Sequence, residues 1–301
     1  MKHFGIAALA TLALASTASA QNTVSPSKWG PNDEIGAANY ITPARVLDAA
    51  KLVKTGKTYS LGIIVDSKTP AYPPRSCTVS IVQPGQVGSS AGLGPTHTTY
   101  NDDILNCWVG IGTQIDGLGH IGVGDVYYNG NKWADFAAFD GLKKLGVEKI
   151  PPIVARGVLL DMTAHFKQDP VAEGTAFNHA EIKEGDVVLF YTGWIKLIGK
   201  DDARYSKGEP GLGKGGAKYL TGKGVVAIGA DTWALEVIPF EKDSGVFEVH
   251  QIMLPHNGTY ILENVDTSAL AAEKAYEFLF VLGHSKYRGA VQGMINPIAI
   301  R

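Results

Sequence analysis

Apolar positions along the chain fall mostly into short runs of four to eight residues, the spacing of strands rather than of long amphipathic helices. Runs at Tyr59–Val65, Thr78–Val82, Ile153–Leu160, Val187–Tyr191, Val225–Ile228, Tyr260–Leu262 and Phe278–Leu282 predict strands. Helical signals are sparser. Val46, Leu47, Ala50 and Val53 recur at helical spacing behind Thr42-Pro43 and stop at Gly56, which supplies a cap, a first-position proline and a terminal glycine. Shorter helices are predicted at Trp133–Phe136, Asn178–Ile182, Gly216–Thr221 and Ser268–Ala275. From Pro70 to Pro95 the chain is rich in Pro, Gly and Ser, which reads as loops around one short strand. Strands outnumber helices, with helices interspersed, so the expected class is mixed α/β. No repeat, charge block or linker marks a second domain.

The first twenty residues stand apart from that pattern. Lys2 and His3 precede an apolar stretch, Phe4–Ala15, and Ala18-Ser19-Ala20 precedes Gln21. A charged start, a short apolar core and a small-x-small exit describe a secretory signal peptide cleaved after Ala20. The expected division is therefore a signal peptide at 1–20, a single domain at 21–301, and a secreted or periplasmic location. The apolar stretch is shorter than the ~20 residues needed to span a bilayer. Export changes how Cys77 and Cys107 read: an oxidising compartment permits a disulfide, while two buried thiols remain the alternative.

Composition narrows the function classes. Of 301 residues, 45% are hydrophobic and 19% charged, and the net charge is −2. That excludes a disordered chain and gives no electrostatic footprint for nucleic acid or an anionic membrane. Neither nucleic acid nor a membrane is therefore an expected partner. Glycine, at 36 residues, exceeds the usual ~7% without any collagen-like period, in keeping with many turns.

Two motif matches fail on context. Gly88-Ser89-Ser90-Ala91-Gly92 fits the serine-hydrolase elbow, but Gly92-Leu93-Gly94-Pro95 cannot open the helix that would present Ser90. Gly208–Gly215 comes close to a phosphate-binding loop, yet no Ser or Thr follows Lys214 to hold magnesium. The chemistry-bearing stretch is Gly112-Thr113-Gln114-Ile115-Asp116-Gly117-Leu118-Gly119-His120. If it stays extended, the amide, carboxylate and imidazole at 114, 116 and 120 share a face. Such oxygen and nitrogen donors suit Zn²⁺ or Mn²⁺. Asp116-Gly117 is also turn chemistry, and a single histidine is commonly structural. Downstream, Asp231, Trp233 and Glu236 follow an apolar strand and either line a pocket or form a turn.

The 112–120 stretch resembles the H-x-G-T-H-x-D-x-P-x-H signature of the cyclase family, metal-dependent hydrolases that include bacterial kynurenine formamidase and isatin hydrolase. Further segments resemble the family in order: Trp29–Gly36, Arg156–Asp161, Glu184–Leu189 with Thr192-Gly193-Trp194, His250 to Glu263-Asn264, and Asn296–Ala299. Asp116 and His120 match the signature, whereas Gly110, Gln114 and Leu118 replace two histidines and a proline. This resembles a branch reading G-T-Q-x-D-G-L-x-H, followed by Tyr128-Asn129-Gly130.

The resemblance implies a swivelling β/β/α fold, often assembled as homo-oligomers, and, joined to the signal peptide, an exported hydrolase opening an amide, or an ester, in a small cyclic or aromatic molecule. In two-metal relatives the signature histidines and aspartate hold one ion. The aspartate, with a downstream His and Glu, holds the other. Carried over, the first site loses two ligands, and the second keeps Asp116, His250 and Glu263. Gln114 is then a weak fourth ligand or a substrate contact. The implied cofactor is one divalent ion, zinc or manganese, with His120 as general base and acid. Spacing one residue longer than the family pattern makes His256 a candidate to replace His250. Asp231, Trp233, Glu236 and His256 are the candidate substrate contacts. The rival reading is a small-molecule-binding protein on the same scaffold, with Gly110 and Gln114 marking lost catalysis.

Overall fold

The computed structural model describes residues 24–82, 92–177 and 184–301. The expected signal peptide, the Ser90 loop and the helix expected at Asn178–Ile182 lie outside the described residues. In chain order the main elements begin with α1 (Pro43–Ala50), β1 (Thr58–Ser60), β2 (Cys77–Val82), β3 (Asp102–Cys107), β4 (Gln114–Asp116), β5 (Ile153–Asp161) and β6 (Val187–Tyr191). They continue with α2 (Lys214–Gly222), β7 (Ala227–Ala230), α3 (Glu248–Asn257), β8 (Tyr260–Glu263), β9 (Glu277–Leu282), β10 (Gln292–Met294) and β11 (Ile298–Ile300).

Nine of these strands form one mixed sheet in the order β1-β11-β9-β5-β6-β7-β8-β4-β10. The four central strands, β5 to β8, run parallel, and the flanking pairs are antiparallel. All five residues of β6, and all four of both β7 and β8, are buried. That is why these segments read as unbroken apolar runs: parallel strands are covered on both faces. Helices α2 and α3 lie in the crossovers that lead to β7 and β8.

The sheet must curl. β10 is its outer edge and β11 lies next to the opposite edge, yet only Ile295–Pro297 separate them in sequence. That link reaches at most ~14 Å, while seven flat strand spacings would need ~34 Å. Thr113 joins the two ends: its Oγ1 accepts from Ile63 N (2.9 Å) and its carbonyl accepts from Ile295 N (3.0 Å). The result is the expected mixed α/β domain, a large curled sheet with few peripheral helices. No helix among the described residues is long and apolar enough to cross a membrane.

Some expectations change in detail. The first strand stops at Ser60: Leu61 N still bonds Pro297 O, but Gly62 N then bonds the Asn296 side chain and Ile63 N bonds Thr113. Thr42 caps α1 as expected, accepting from Arg45 N. Cys77 and Cys107 face each other across the β2–β3 ladder and are joined as a disulfide. At the near phosphate-loop sequence, α2 does start at Lys214, but the Glu241 carboxylate already accepts from Lys214 N at 2.7 Å. A second carboxylate, Glu209, is buried and accepts from Trp233 N and Ala234 N.

Two of the family-like segments prove to be partners of each other. Asp33 accepts from Tyr128 Oη (2.6 Å), Ser27 Oγ and Asn39 Nδ2, and Asn129 Nδ2 donates to the carbonyls of Gly30 and Asp33. Gly36, at φ +51°, approaches the C-terminus of α3 so closely that a Cβ there would lie 2.4 Å from Gly258 O. These contacts hold the amino-terminal segment against α3, the helix that carries His250.

Candidate metal centre

Strand β4 builds one side of the site. Gln114 and Asp116 are two apart, so they share its buried face. The ladders set Glu263 of β8 opposite Gln114, and Gln292 of β10 opposite Asp116. Residues opposite each other across antiparallel strands point to the same side. The four side chains therefore meet: Gln114 Nε2 donates to Glu263 Oε2 at 2.6 Å, and Gln292 Nε2 donates to Asp116 Oδ1 at 2.8 Å. The segment does not stay extended to His120. It turns after Asp116, with His120 N bonded to Gly117 O, and the turn brings His120 Nε2 to 3.8 Å from Asp116 Oδ2.

Helix α3 supplies the other side. His250 Nε2 lies 3.4 Å from Glu263 Oε1 and 3.8 Å from Asp116 Oδ2. Its other ring nitrogen, Nδ1, is 2.5 Å from Glu236 Oε1. The same carboxylate receives the amides of Val249 and His250 at 3.3 and 3.4 Å. Phe247, at the helix start, has no side-chain cap of its own, so Glu236 both neutralises the helix start and fixes the histidine ring. No helix is predicted here from sequence, for a physical reason. Val249, His250, Ile252, Met253, Leu254 and Pro255 are all buried, so only a narrow polar stripe (Glu248, Gln251, His256 and Asn257) reaches the surface, and Pro255 argues against a helix.

The donor set fits a cation. Asp116, His250 and Glu263 each offer a ligand atom, and these atoms lie within 4.8 Å of one another, all buried. Asp116 Oδ2 and Gln114 Oε1 are buried acceptors without a hydrogen-bond donor. Such orphans are costly unless something positive satisfies them. Burial, together with the Asp116 charge, pushes Glu263 up to about 7. Burial works against a charge on His250, but the carboxylates of Glu236 and Glu263 outweigh it and lift it to about 10. Binding an ion through Nε2 therefore exchanges a proton for the metal. His120 differs. Burial lowers it, His250 adds to that, and Asp116 opposes the drop only in part. It is neutral near pH 7, with its side chain about 20% exposed.

The remaining candidates scatter around this centre. Glu236 contacts His250, a positioning role rather than a substrate contact. Asp231 is buried and accepts from both N and Oγ1 of Thr192, at 2.8 and 2.6 Å, and burial raises it to about 7. It anchors the Thr192-Gly193-Trp194 turn. Trp233 is half-buried, stacks on Tyr72 with ring centroids 5.8 Å apart, and donates Nε1 to Tyr205 O. His256 lies near the far end of α3 and lines a surface hollow with Lys28, Trp29 and Tyr40, apart from the Asp116 cluster. It therefore does not substitute for His250. Gln292 was not legible in advance, since only the sheet register brings it to Asp116.

Comparison with known proteins bears on this geometry. The family model described as putative cyclase matches residues 59–237. A crystal structure described as a novel cyclase is 30% identical, covers 91% of this chain and 98% of its own, and superposes with a TM-score of 0.82. Isatin hydrolase A from Ralstonia solanacearum is 17% identical over 87% of this chain and 98% of its own, at a TM-score of 0.60. A predicted metal-dependent hydrolase from Bacillus stearothermophilus is also 17% identical, over 81% and 97%, at 0.54. The last two likenesses concern the fold. No curated protein matches the chain.

Proposed function

The chain belongs to the cyclase family, and from that premise we propose that it is an exported metal-dependent hydrolase opening an amide, or an ester, in a small cyclic or aromatic molecule. The observation that carries the reading is the buried Asp116–His250–Glu263 cluster with two orphaned acceptor oxygens. These three residues would hold one zinc or manganese ion, with Gln114 Oε1 as a weak fourth donor. A metal there would polarise the carbonyl and bring the pKa of water toward ~7.

The chain's own groups supply the rest. Neutral His120 faces the cluster through Nε2, where it takes a proton from the attacking water and returns it to the leaving nitrogen. One C–O bond forms and the C–N bond breaks, giving a carboxylate, an amine and one released proton, with one water consumed. Glu236 holds the His250 ring, and Gln292 orients Asp116. The G-T-Q-x-D-G-L-x-H pattern marks the branch in which this single-ion arrangement is expected.

Metal analysis of the purified protein, followed by hydrolysis assays on small lactams, formamides and lactones, tests the proposal. One ion per chain with amide turnover supports it. A folded, metal-free protein with no turnover would favour the binding-protein reading instead. Export is part of the proposal, and amino-terminal sequencing of material from the native host should begin near Gln21. So is a homo-oligomer without nucleic-acid or membrane partners. The exposed Val79, Ile81, Ile104 and Leu105 of the β2–β3 hairpin offer apolar surface for it, and sedimentation is the check.

A further inference from the structure

The position that carries no side chain in the signature, Gly110, is filled from elsewhere. An added Cβ at Gly110 would lie 2.6 Å from Arg75 Nη1, 2.8 Å from Arg75 Cζ and 3.2 Å from Gln292 Oε1. The guanidinium thus occupies the space a side chain at 110 would need. It is tied there by Nη1 donating to Gly110 O at 2.7 Å. Gln292, on the other side, is the residue that donates to Asp116. Arg75 and Gln292 therefore flank the same backbone position, and Gln292 connects it to Asp116. No carboxylate lies within ion-pair distance of Arg75 among the described residues. A half-buried guanidinium beside a metal cluster, with one of its five donors spent on a carbonyl, is built to receive an anion.

We propose that Arg75 is the fixed cation of this site and binds the carboxylate that hydrolysis generates. This rests on the hydrolase reading for the source of that carboxylate. The binding claim is separable, because it needs no turnover. A guanidinium matches a carboxylate with two parallel N–H···O bonds, a geometry that a lysine cannot reproduce. Gly110 keeps the guanidinium in place by leaving it room.

The test uses benzoate as the anionic probe and benzamide as its neutral isostere, titrated calorimetrically into the zinc-loaded protein. Wild type should bind benzoate more tightly than benzamide. Arg75→Gln should weaken benzoate by about tenfold or more, the value of one charged hydrogen bond, and leave benzamide within about twofold. Arg75→Lys should recover only part of the loss. Gly110→Ala leaves the charge intact but displaces it, and should weaken benzoate in the same way. Three results would overturn the proposal: no detectable benzoate binding by wild type, benzoate binding by Arg75→Gln within about twofold of wild type, or equal losses for both probes. Discrimination between the probes without turnover of any amide or ester would keep Arg75's role and sink the hydrolase reading.

Discussion

Replacing Glu236 by Gln removes one charge and almost no volume from behind His250. The contact is a buried 2.5 Å hydrogen bond to Nδ1, of the charged kind that contributes about 1.5–3 kcal/mol. Two effects then oppose each other. In the wild type, His250 sits at about 10, so at pH 7 stripping its proton to bind metal costs about 4 kcal/mol. The Gln variant binds that proton less tightly, which helps the ion. It also leaves the ring less basic and less firmly oriented, and changes of this sort typically cost about 10–100-fold in metal affinity. The net expectation is weaker binding with an altered pH profile.

The sign follows from the shifts. Protonated His250 offers no lone pair at Nε2, so wild-type affinity for zinc should rise about tenfold per pH unit between about 7 and about 10. Below about 7 the rise should steepen, because Glu263 must then lose a proton as well. In Glu236→Gln the plateau should arrive at lower pH. Zinc titration against a competing chelator across this range reads both quantities, and a thermal melt of each variant separates them from misfolding. Should the wild-type affinity be flat with pH, or should the variant copy the wild type in both affinity and profile, the role given to Glu236 is wrong.

Further outcomes follow from the same geometry. His120→Ala should lower turnover by ~10²–10⁴-fold, the usual share of a general base, with metal content by elemental analysis unchanged; lost metal would make His120 a ligand. Asp116→Asn should weaken metal binding by more than the ~10–100-fold of a change behind a ligand, and a fully loaded variant would remove Asp116 from the site. Gly36→Ala combines a φ of +51° with a 2.4 Å approach to Gly258 O, so urea unfolding should show a loss of at least ~1–3 kcal/mol. An unchanged urea midpoint would mean that the amino-terminal segment is not held as described.

Some of this was legible in the chain and some could not be. The run Val187–Tyr191 matches its strand end to end because every position is buried, leaving one way to read it. Asp116 and His120 are visible because their chemistry is local, a strand end and the turn after it. Helix α3 is hidden for another reason: six of its ten residues are buried, one of them His250, and Pro255 interrupts a polar stripe that is already narrow. The bond from Gln292 to Asp116 spans 176 positions, and no local pattern encodes it. Glu236 is visible as an acid near a strand end, but its partner is set by where α3 starts. Arg75 sits in a stretch whose Pro, Gly and Ser content says only that it is loop.

The disulfide lies between the two residues that place the guanidinium. Cys77 follows Arg75 by two positions and Cys107 precedes Gly110 by three, while Trp108 N bonds Ser76 O at 3.0 Å alongside. The Asp116–His250–Glu263 cluster draws on the central sheet and α3 and does not depend on this link. Protein made in a reducing cytosol would therefore carry its full complement of metal and still handle acidic products poorly. Two preparations with identical metal analyses would then differ in product inhibition, and a thiol assay would tell them apart.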